Sequence, residues 1–331
     1  MQAITLESFG GPEHMQLSDV PMPEFTDDQV LIRVANSSVN RPDIVQRQGN
    51  YPPPPGDSDI LGLEVAGVVD AVGSNTSRFK PGDRVLALVG GGGYAEYAVA
   101  YESHAMAVPD SVSLEQAACI CETYITAWLN LFRIGGAQGA KSVLIHGGGG
   151  GVASAAVQLC KLLSPATTVF VTASAGKISR VLEQGADHAI DYREADFASE
   201  LRSLTDKRGV DVILDHIGAA YLDSNMRSLA RAGRLVLIGV MCGIKAELNL
   251  ATLMVKRQQI IGSVLRSRPV AEKASIIGEF EQVVMPLFAS GQIEIPVQAR
   301  FPLADAGDAH RLMEQGGHFG KIVLSIQDDI A

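Results

Sequence analysis

The chain has 331 residues, of which 47% are hydrophobic, and this is enough material for two hydrophobic cores. The formal net charge is −10 and no lysine or arginine run forms a basic patch, so nucleic acids and anionic membranes are repelled on average and a small molecule is the expected partner. The four cysteines form no C-x-x-C pair and the seven histidines lie at no zinc spacing, so we expect buried free thiols and no structural metal site.

The first part of the chain, about 120 residues, alternates short β-rich runs with turn residues, which is typical of a mainly antiparallel domain. Turns are indicated at Gly73 to Asn75, at Pro81 to Asp83 and at the four glycines from Gly90 to Gly93. The predicted strands are Val30 to Val34, Glu64 to Val72, Arg84 to Val89 and Tyr94 to Val99. From Leu114 to Arg133 apolar residues recur every three or four positions, which predicts a helix that bridges two domains.

After this helix the pattern repeats strand and then helix, which indicates a parallel, doubly wound sheet. The predicted strands are Ser142 to Ile145, Thr168 to Thr172, His188 to Ile190, Val210 to Leu214, Arg234 to Ile238 and Gln259 to Ser263. The tail predicts a helix from Pro269 to Ser290, a strand from Ala299 to Phe301, a helix from Ala304 to Glu314 and a strand from Gly320 to Ile326. We expect the last strand to return to the first domain.

The most informative stretch is HGGGGGVASAAVQL, from His146 to Leu159. A strand, a glycine turn and a helix together hold a dinucleotide pyrophosphate, because the glycines let the backbone approach the phosphates and the helix N-terminus offers amides and a positive dipole. Gly148, Gly151 and Ala153 match the fingerprint of this turn. The alternative is a flexible linker, and the flanking strand and helix signals argue against it.

Three separated motifs together resemble the medium-chain dehydrogenase/reductase superfamily, in its zinc-independent quinone oxidoreductase branch. They are Asn40-Arg41-Pro42-Asp43, the segment Gly62 to Gly67 and the His146 to Leu159 fingerprint. The stretches Arg47 to Gly56 and Leu265 to Arg268 are similar to NADPH-dependent members of the p53-inducible type. The resemblance implies an α/β protein with a GroES-like, mainly antiparallel catalytic domain over residues 1–123 and 266–331. It implies a Rossmann domain, with a doubly wound six-stranded parallel sheet that binds NADPH, over residues 124–265.

Departures from the zinc-dependent relatives bear on the chemistry. Those relatives carry a cysteine in the region of Asn40, a histidine at the position of Leu63 and a four-cysteine lobe where this chain has Gly90 to Gly93. Without such ligands a zinc ion has no place from which to polarise a carbonyl. A quinone or an α,β-unsaturated carbonyl delocalises the incoming charge, so it needs orientation more than activation. The resemblance therefore implies NADPH-dependent, zinc-independent reduction of quinones.

Candidate catalytic residues follow from the same resemblance. Tyr51, in the proline-rich loop, resembles the active-site tyrosine and is the candidate hydrogen-bond donor; packing on the prolines is the alternative. Asn40 resembles the asparagine that lines the nicotinamide site, and an ordinary turn residue is the alternative. Asp43 is expected to fix its loop by hydrogen bonding. Thr126 resembles a residue that reaches the cofactor, and its alternative is a hydroxyl bonded to the preceding helical turn.

The choice of cofactor can be argued from the end of the second parallel strand. An NAD site carries Asp or Glu there, about 20 residues after the glycines, to bind the ribose 2′-hydroxyl. This chain has Thr172-Ala173-Ser174-Ala175-Gly176-Lys177, with no acid. The hydroxyl of Ser174 and the charge of Lys177 favour a 2′-phosphate and hence NADPH, although a solvated helix-start lysine is the alternative. Tyr192 resembles a residue that packs near the same phosphate.

The remaining cofactor-binding candidates lie at the carboxyl ends of parallel strands, where ligands of such sheets bind. With those named above the predicted set is Asn40, Thr126, Gly148, Gly150, Gly151, Val152, Ser174, Lys177, Tyr192, Ile217, Gly239, Met241, Ser263, Leu265, Arg268 and Lys321. The consecutive glycines forgo a hydroxyl that relatives use to contact a phosphate oxygen, which predicts somewhat weaker cofactor binding.

Two further functions remain open at this point. An enone or enoyl reductase shares the fold, the cofactor and the hydride step, and an NADPH-binding sensor or structural protein would bind without much catalysis. The start, MQAITLESFG, lacks the features of a secretory signal, so a cytoplasmic protein is expected. The sixth parallel strand is expected at the edge of its sheet, where relatives pair into a homodimer.

Overall fold

The computed structural model describes residues 1–327 and residue 330. The chain divides into two compact units. The first unit is Met1–Ile125 together with Arg266–Ala331, and the second unit is Thr126–Leu265.

The strands of both units are numbered in chain order. They are β1 (Gln2–Leu6), β2 (Met15–Asp19), β3 (Gln29–Ser38), β4 (Glu64–Val72), β5 (Arg84–Leu88), β6 (Tyr97–Tyr101), β7 (Ala105–Ala107), β8 (Ser142–Ile145), β9 (Thr168–Ala173), β10 (His188–Asp191), β11 (Val210–Asp215), β12 (Leu229–Leu237), β13 (Gln259–Gly262), β14 (Val297–Pro302) and β15 (Lys321–Ser325).

The α-helices are numbered in the same way, and a π-helix spans Trp128–Ile134. They are α1 (Arg41–Arg47), α2 (Leu114–Ala117), α3 (Cys121–Ala127), α4 (Gly151–Leu163), α5 (Ile178–Glu183), α6 (Phe197–Leu204), α7 (Leu222–Ser228), α8 (Leu250–Lys256), α9 (Val270–Val283), α10 (Met285–Ala289) and α11 (Ala306–Gln315).

The first unit is built on a mainly antiparallel sheet with the strand order β14-β15-β3-β4-β5-β7, and β6 pairs with β3. Alternating apolar residues of these strands, such as Val30, Ile32 and Val34 of β3, point into one buried core. The last strand, β15, pairs antiparallel with β3, which confirms that the tail returns to this sheet. Gly67 of β4 lies so close to the Arg33 carbonyl that a Cβ would overlap it, which explains the glycine.

The second unit is built on a parallel sheet with the strand order β10-β9-β8-β11-β12-β13. Its core joins the sheet to α6 and α7 through buried side chains that include Leu144, Phe170 and Leu201. Since β8 lies at the centre and the order reverses there, the glycine turn after β8 opens at the switch point of the sheet. The predicted fold class, a GroES-like antiparallel sheet with a six-stranded Rossmann sheet, is confirmed.

Three predictions about local structure were wrong. The predicted helix from Leu114 to Arg133 is divided into α2, α3 and the π-helix, because the amide of Glu122, at the start of α3, donates to a buried carboxylate 2.9 Å away. The predicted helix from Pro269 to Ser290 is interrupted at Val284, since Pro286 has no amide to continue it. Cys242 is exposed, whereas the other three cysteines are buried as expected.

Candidate active site

Glu64 is the centre of a buried polar cluster in the first unit. It begins β4 and is fully buried, and three side-chain donors reach its Oε1 atom: Ser38 Oγ at 2.6 Å, Asn40 Nδ2 at 2.9 Å and Lys321 Nζ at 3.0 Å. Its Oε2 atom accepts the Glu122 amide. An ammonium and three further donors thus satisfy the two side-chain oxygens of Glu64 within the protein.

Asn40 lies at the N-cap of α1 with only 5% of its surface exposed. Its Oδ1 accepts from Lys321 Nζ at 2.7 Å while its Nδ2 donates to Glu64, so the ion pair fixes the orientation of the amide. Lys321 also donates to the Val39 carbonyl at 3.4 Å, which occupies its three N–H groups within the protein. The predicted site residues Asn40 and Lys321 are therefore in contact, and the lysine fixes the orientation of the asparagine side chain.

Asp43 sits one turn further along α1 and is fully buried. Its Oδ2 accepts the Asn40 amide at 2.8 Å and the Tyr94 hydroxyl at 3.0 Å, which agrees with the predicted role of fixing the loop. Burial raises the pKa of Asp43 to about 6, although both hydrogen bonds oppose the rise.

Tyr94 extends this network through His310 to the end of α1. His310 Nε2 lies 3.0 Å from the Tyr94 hydroxyl, and its Nδ1 lies 3.3 Å from Arg47 Nη1. Since the guanidinium can only donate, the imidazole proton is on Nε2 and Tyr94 donates to Asp43. Burial lowers the pKa of His310 to about 3, so the ring is neutral. The chain of bonds continues from Arg47 Nη2 to Glu314 Oε1 at 2.7 Å, and it therefore fixes α1 against α11.

Glu122 is the third acid of this region, and Asp43, Glu64 and Glu122 are together called the carboxylate cluster. Glu122 is half-buried at the start of α3. Burial, and then the carboxylates of Glu64 and Asp43, raise the pKa of Glu122 to about 8, against the opposing charges of Lys321 and Arg266. A carboxyl of this kind holds its proton at neutral pH.

Arg266 holds the loop that carries Tyr51. Its guanidinium is buried and donates to the Gly90 carbonyl at 2.8 Å, to the Tyr51 carbonyl at 3.1 Å and to Gln46 Oε1 at 2.8 Å. It also lies over the Tyr51 ring, 5.1 Å from the centroid. Burial, and then the nearby Glu122 carboxylate, raise the pKa of Tyr51 to about 12, so its hydroxyl is a hydrogen-bond donor and a weak acid.

The glycine turn, Gly147 to Gly151, is a second candidate site and lies within the second unit. Gly147 has φ +69° and an added Cβ would overlap the His216 ring, while a Cβ at Gly148 would lie 2.5 Å from Val171 Cγ1. Gly150 is the N-cap of α4. The amides of Gly151 and Val152 lie in its first turn, where a helix leaves N–H groups without an acceptor of its own. The turn can therefore hold an anion close to the backbone.

Lys177 covers this turn. A Cβ at Gly149 would lie 2.6 Å from Lys177 Nζ, so the glycine provides the space that the ammonium fills. Burial, and then the neighbouring charge of Arg180, lower the pKa of Lys177. The Lys177 amide donates to the Ser174 carbonyl at 2.8 Å, and the Tyr192 amide donates to the end of β9 at 3.3 Å. The structure thus brings together three of the predicted cofactor residues, Ser174, Lys177 and Tyr192, near Gly149 of the turn.

A buried network supports the strand ends behind the turn. His146 Nδ1 lies 2.8 Å from Thr172 Oγ1 and its Nε2 lies 2.8 Å from Asn225 Oδ1, while Asn225 donates to Asp215 at 3.0 Å. Because Asn225 donates to the carboxylate, its oxygen faces His146 and the imidazole proton is on Nε2. Burial lowers the pKa of His146 to about 3 and raises the pKa of Asp215 to about 6. These buried contacts fix β8, β9 and β11 beside the glycine turn.

The other predicted residues are placed less centrally. The turns that carry Ile217, Gly239 and Met241 are joined by main-chain hydrogen bonds, including the Met241 amide to the His216 carbonyl at 3.1 Å. The Thr126 carbonyl accepts from Asn130 Nδ2 at 2.8 Å within the helical region. Ser263 and Leu265 are buried, and Arg268 forms an ion pair with Glu272.

Comparisons with known proteins cover most of the chain. The family described as an alcohol dehydrogenase GroES-like domain matches residues 26–110, and the family described as a zinc-binding dehydrogenase matches residues 184–324. The quinone oxidoreductase of Homo sapiens is 33% identical over 331 residues, which are 98% of this chain and 97% of that protein. The chain belongs to the quinone oxidoreductase branch of the medium-chain dehydrogenase/reductase superfamily. The protein is therefore an oxidoreductase.

Two further members of the superfamily are similar along the whole chain. The synaptic vesicle membrane protein VAT-1 homolog of Danio rerio is 32% identical over an alignment of 342 positions, which covers 98% of this chain and 70% of that protein. The crystal structure of the Escherichia coli quinone oxidoreductase complexed with NADPH superposes with a TM-score of 0.89 at 28% identity, covering 98% of this chain and 100% of that one.

Within residues 1–327 and residue 330, the structure has neither a metal-binding group of side chains nor a membrane-spanning helix. No three His, Cys, Asp or Glu side chains are grouped in a way that could hold a metal ion. No helix is long and apolar enough to span a membrane.

Sequence reasoning about this branch missed Glu64, Glu122 and Arg266 as members of the site. A signal for the two acids was present, since each is a lone charge inside an apolar run, ILGLEVAGVV and AACICETYI. Charged residues are seldom fully buried unless they are paired, so an acid in such a run indicates a buried partner. The partner of Glu64 is Lys321, more than 250 positions away, and no local pattern links the two.

Proposed function

We propose that this oxidoreductase reduces quinones with NADPH by hydride transfer and needs no zinc. The observation that carries the proposal is the position of Lys177, whose ammonium covers the glycine turn next to a strand end that offers no carboxylate. NADPH, when bound, supplies a hydride from the nicotinamide. The amides of Gly151 and Val152 would hold its pyrophosphate, and Ser174, Lys177 and Tyr192 would hold the 2′-phosphate.

The polar cluster around Glu64 supports the proposal that the reaction needs no zinc. The oxygen atoms that a zinc ion could bind there, Glu64 Oε1 and Asn40 Oδ1, both accept hydrogen bonds from the Lys321 ammonium. A cation of the protein therefore already occupies them. A quinone spreads the charge of the incoming hydride over its ring, so the protein has to orient it and exclude water. Tyr51, held by Arg266, is the proposed hydrogen-bond donor to a quinone oxygen.

The edge of the parallel sheet supports a homodimer. In the described residues β13 ends the strand order, and next to it in the chain α8 exposes Leu250, Met254 and Val255 by 68%, 72% and 62%. An open strand edge beside apolar side chains favours pairing with a second copy across a two-fold axis.

The test compares acceptors and cofactors in one assay. Oxidation of NADPH is followed by its absorbance with 1,2-naphthoquinone and, separately, with a linear enone, each repeated with NADH and with EDTA. We expect rapid, EDTA-insensitive turnover of the quinone with NADPH. Turnover of the enone alone would instead identify an enone reductase, and tight NADPH binding without turnover would identify a sensor or structural protein.

A further inference from the structure

Glu122 differs from the other two acids of the carboxylate cluster in its hydrogen bonds. Glu64 accepts four donors and Asp43 accepts two, whereas the carboxyl of Glu122 makes no hydrogen bond to any residue that the structure describes. Glu122 is also only half-buried, while the other two are fully buried. A carboxylate without donors is the least stable anion of the three.

The charges around Glu122 come from several elements. Glu64 of β4 and Asp43 of α1 face it with negative charge, and Lys321 of β15 and Arg266 face it with positive charge. Lys273 of α9 and the Tyr51 hydroxyl also interact with it. Lys321 is bonded to Glu64 and Arg266 to neutral carbonyl and amide oxygens, so no cation is bound to the Glu122 carboxyl itself. A proton shared by the cluster therefore resides on Glu122, and its pKa of about 8 agrees with this.

We propose that Glu122 supplies the proton that the reduced substrate needs, a role that rests on the proposed function. A quinone that accepts a hydride from NADPH gains two electrons and becomes the monoanion of a hydroquinone. The O–H bond of Glu122 then breaks, the proton goes to the phenolate oxygen, and Glu122 is left as a carboxylate that solvent reprotonates. Tyr51 keeps its proton and orients the acceptor, because burial makes it a weaker acid than an ordinary phenol.

The first test needs no substrate. Glutamate labelled with ¹³C at the side-chain carboxyl is incorporated, and the resonance missing from Glu122→Gln is assigned to Glu122. Its shift is then followed between about pH 5 and about pH 10. We expect a midpoint near pH 8, and a midpoint near the ordinary pKa of 4.5 would overturn the proposal whatever the protein reduces. Glu122→Gln should fold normally, because an amide has the shape and the zero charge of the protonated acid.

The second test uses quinone reduction. Glu122→Gln should lower kcat by about 10²-fold to 10⁴-fold with little change in KM, and the fall of kcat above pH 8 should disappear. Glu122→Asp should restore part of the rate together with the fall at high pH. The matched control is Glu115→Gln, which removes an acid paired with Arg300 and should leave kcat unchanged.

The two ways of failing can be told apart. If the wild type reduces quinones and Glu122→Gln is equally fast with the same pH profile, this inference is wrong and the proposed function stands. If the wild type reduces no quinone, the proposed function is wrong and this inference falls with it.

Discussion

Adding one methyl group at Gly149 tests the role assigned to Lys177. A Cβ there would overlap Lys177 Cδ and would lie 2.6 Å from Nζ and 2.8 Å from Cε, well inside the 3.4 Å of ordinary contact. The ammonium would have to retreat by about 0.8 Å. An N–H···O bond persists only over donor–acceptor distances of about 2.7–3.2 Å, a span of about 0.5 Å, so a retreat of this size breaks the bond. The lysine is the flexible partner of the clash, so we expect Gly149→Ala to fold normally with its cation displaced from the turn.

The expected size follows from the bond that is lost. A hydrogen bond to a charged group contributes about 1.5–3 kcal/mol, which corresponds to a rise of about 10-fold to 150-fold in the Kd for NADPH. NADH, without the 2′-phosphate, should lose much less affinity. Isothermal titration calorimetry measures both, and Gly176→Ala is the control, because a Cβ at that neighbouring position meets nothing within 4 Å. Equal losses for NADPH and NADH, or no loss for either, would refute the role of Lys177.

Three other changes have defined outcomes. Arg266→Lys keeps the charge and loses the forked hydrogen bonds, so kcat for the quinone should fall by about 10-fold in steady-state assays. The control Arg78→Lys, at an exposed ion pair, should have no effect. Equal rates for the wild type and Arg266→Lys would count against the role of Arg266 in holding Tyr51. Met254→Glu places a charge on the exposed face of α8 and should yield monomers in analytical ultracentrifugation, and a persistent dimer would place the interface elsewhere. His310 is neutral in the fold with a pKa near 3, below its ordinary 6.5, so the stability it contributes is lost as pH falls through that window. In urea unfolding, the loss of unfolding free energy caused by His310→Gln should shrink by about 1.4 kcal/mol for each unit by which the pH falls through this window. A loss that stays constant with pH would contradict the neutral state assigned to His310.

The parallel sheet could be predicted closely, because its strands are continuous apolar runs separated by helical patterns. The predicted Ser142 to Ile145 is β8 with the same bounds, and the other five strands differ by a few residues at their ends. In the antiparallel unit β1, β2 and β7 were missed, since they are short and mix polar with apolar residues. The helix predicted from Leu114 to Arg133 was too long. Its break depends on the side chain of Glu64, and hydrophobic periodicity cannot indicate such a contact.

The candidate sites of the two units differ in the same way. The glycine turn and Lys177 are close in sequence to strand ends, so general rules for parallel sheets were enough to propose them. Asn40 lies at the N-cap of α1, and its partners include the side chains of Glu64 on β4 and Lys321 on β15. The sheet order places these two strands on either side of β3. The partners in such a long-range ion pair, and the burial that raises the pKa of Glu122, are set by the folded structure and not by a local sequence pattern.

The most direct test of the central claim is an anaerobic single-turnover experiment with NADPH and 1,2-naphthoquinone. The account predicts that each NADPH oxidised yields one hydroquinone and no semiquinone signal by electron paramagnetic resonance, since a hydride carries both electrons together. NADPH consumption without matching hydroquinone, or a semiquinone that accumulates during the turnover, would contradict it.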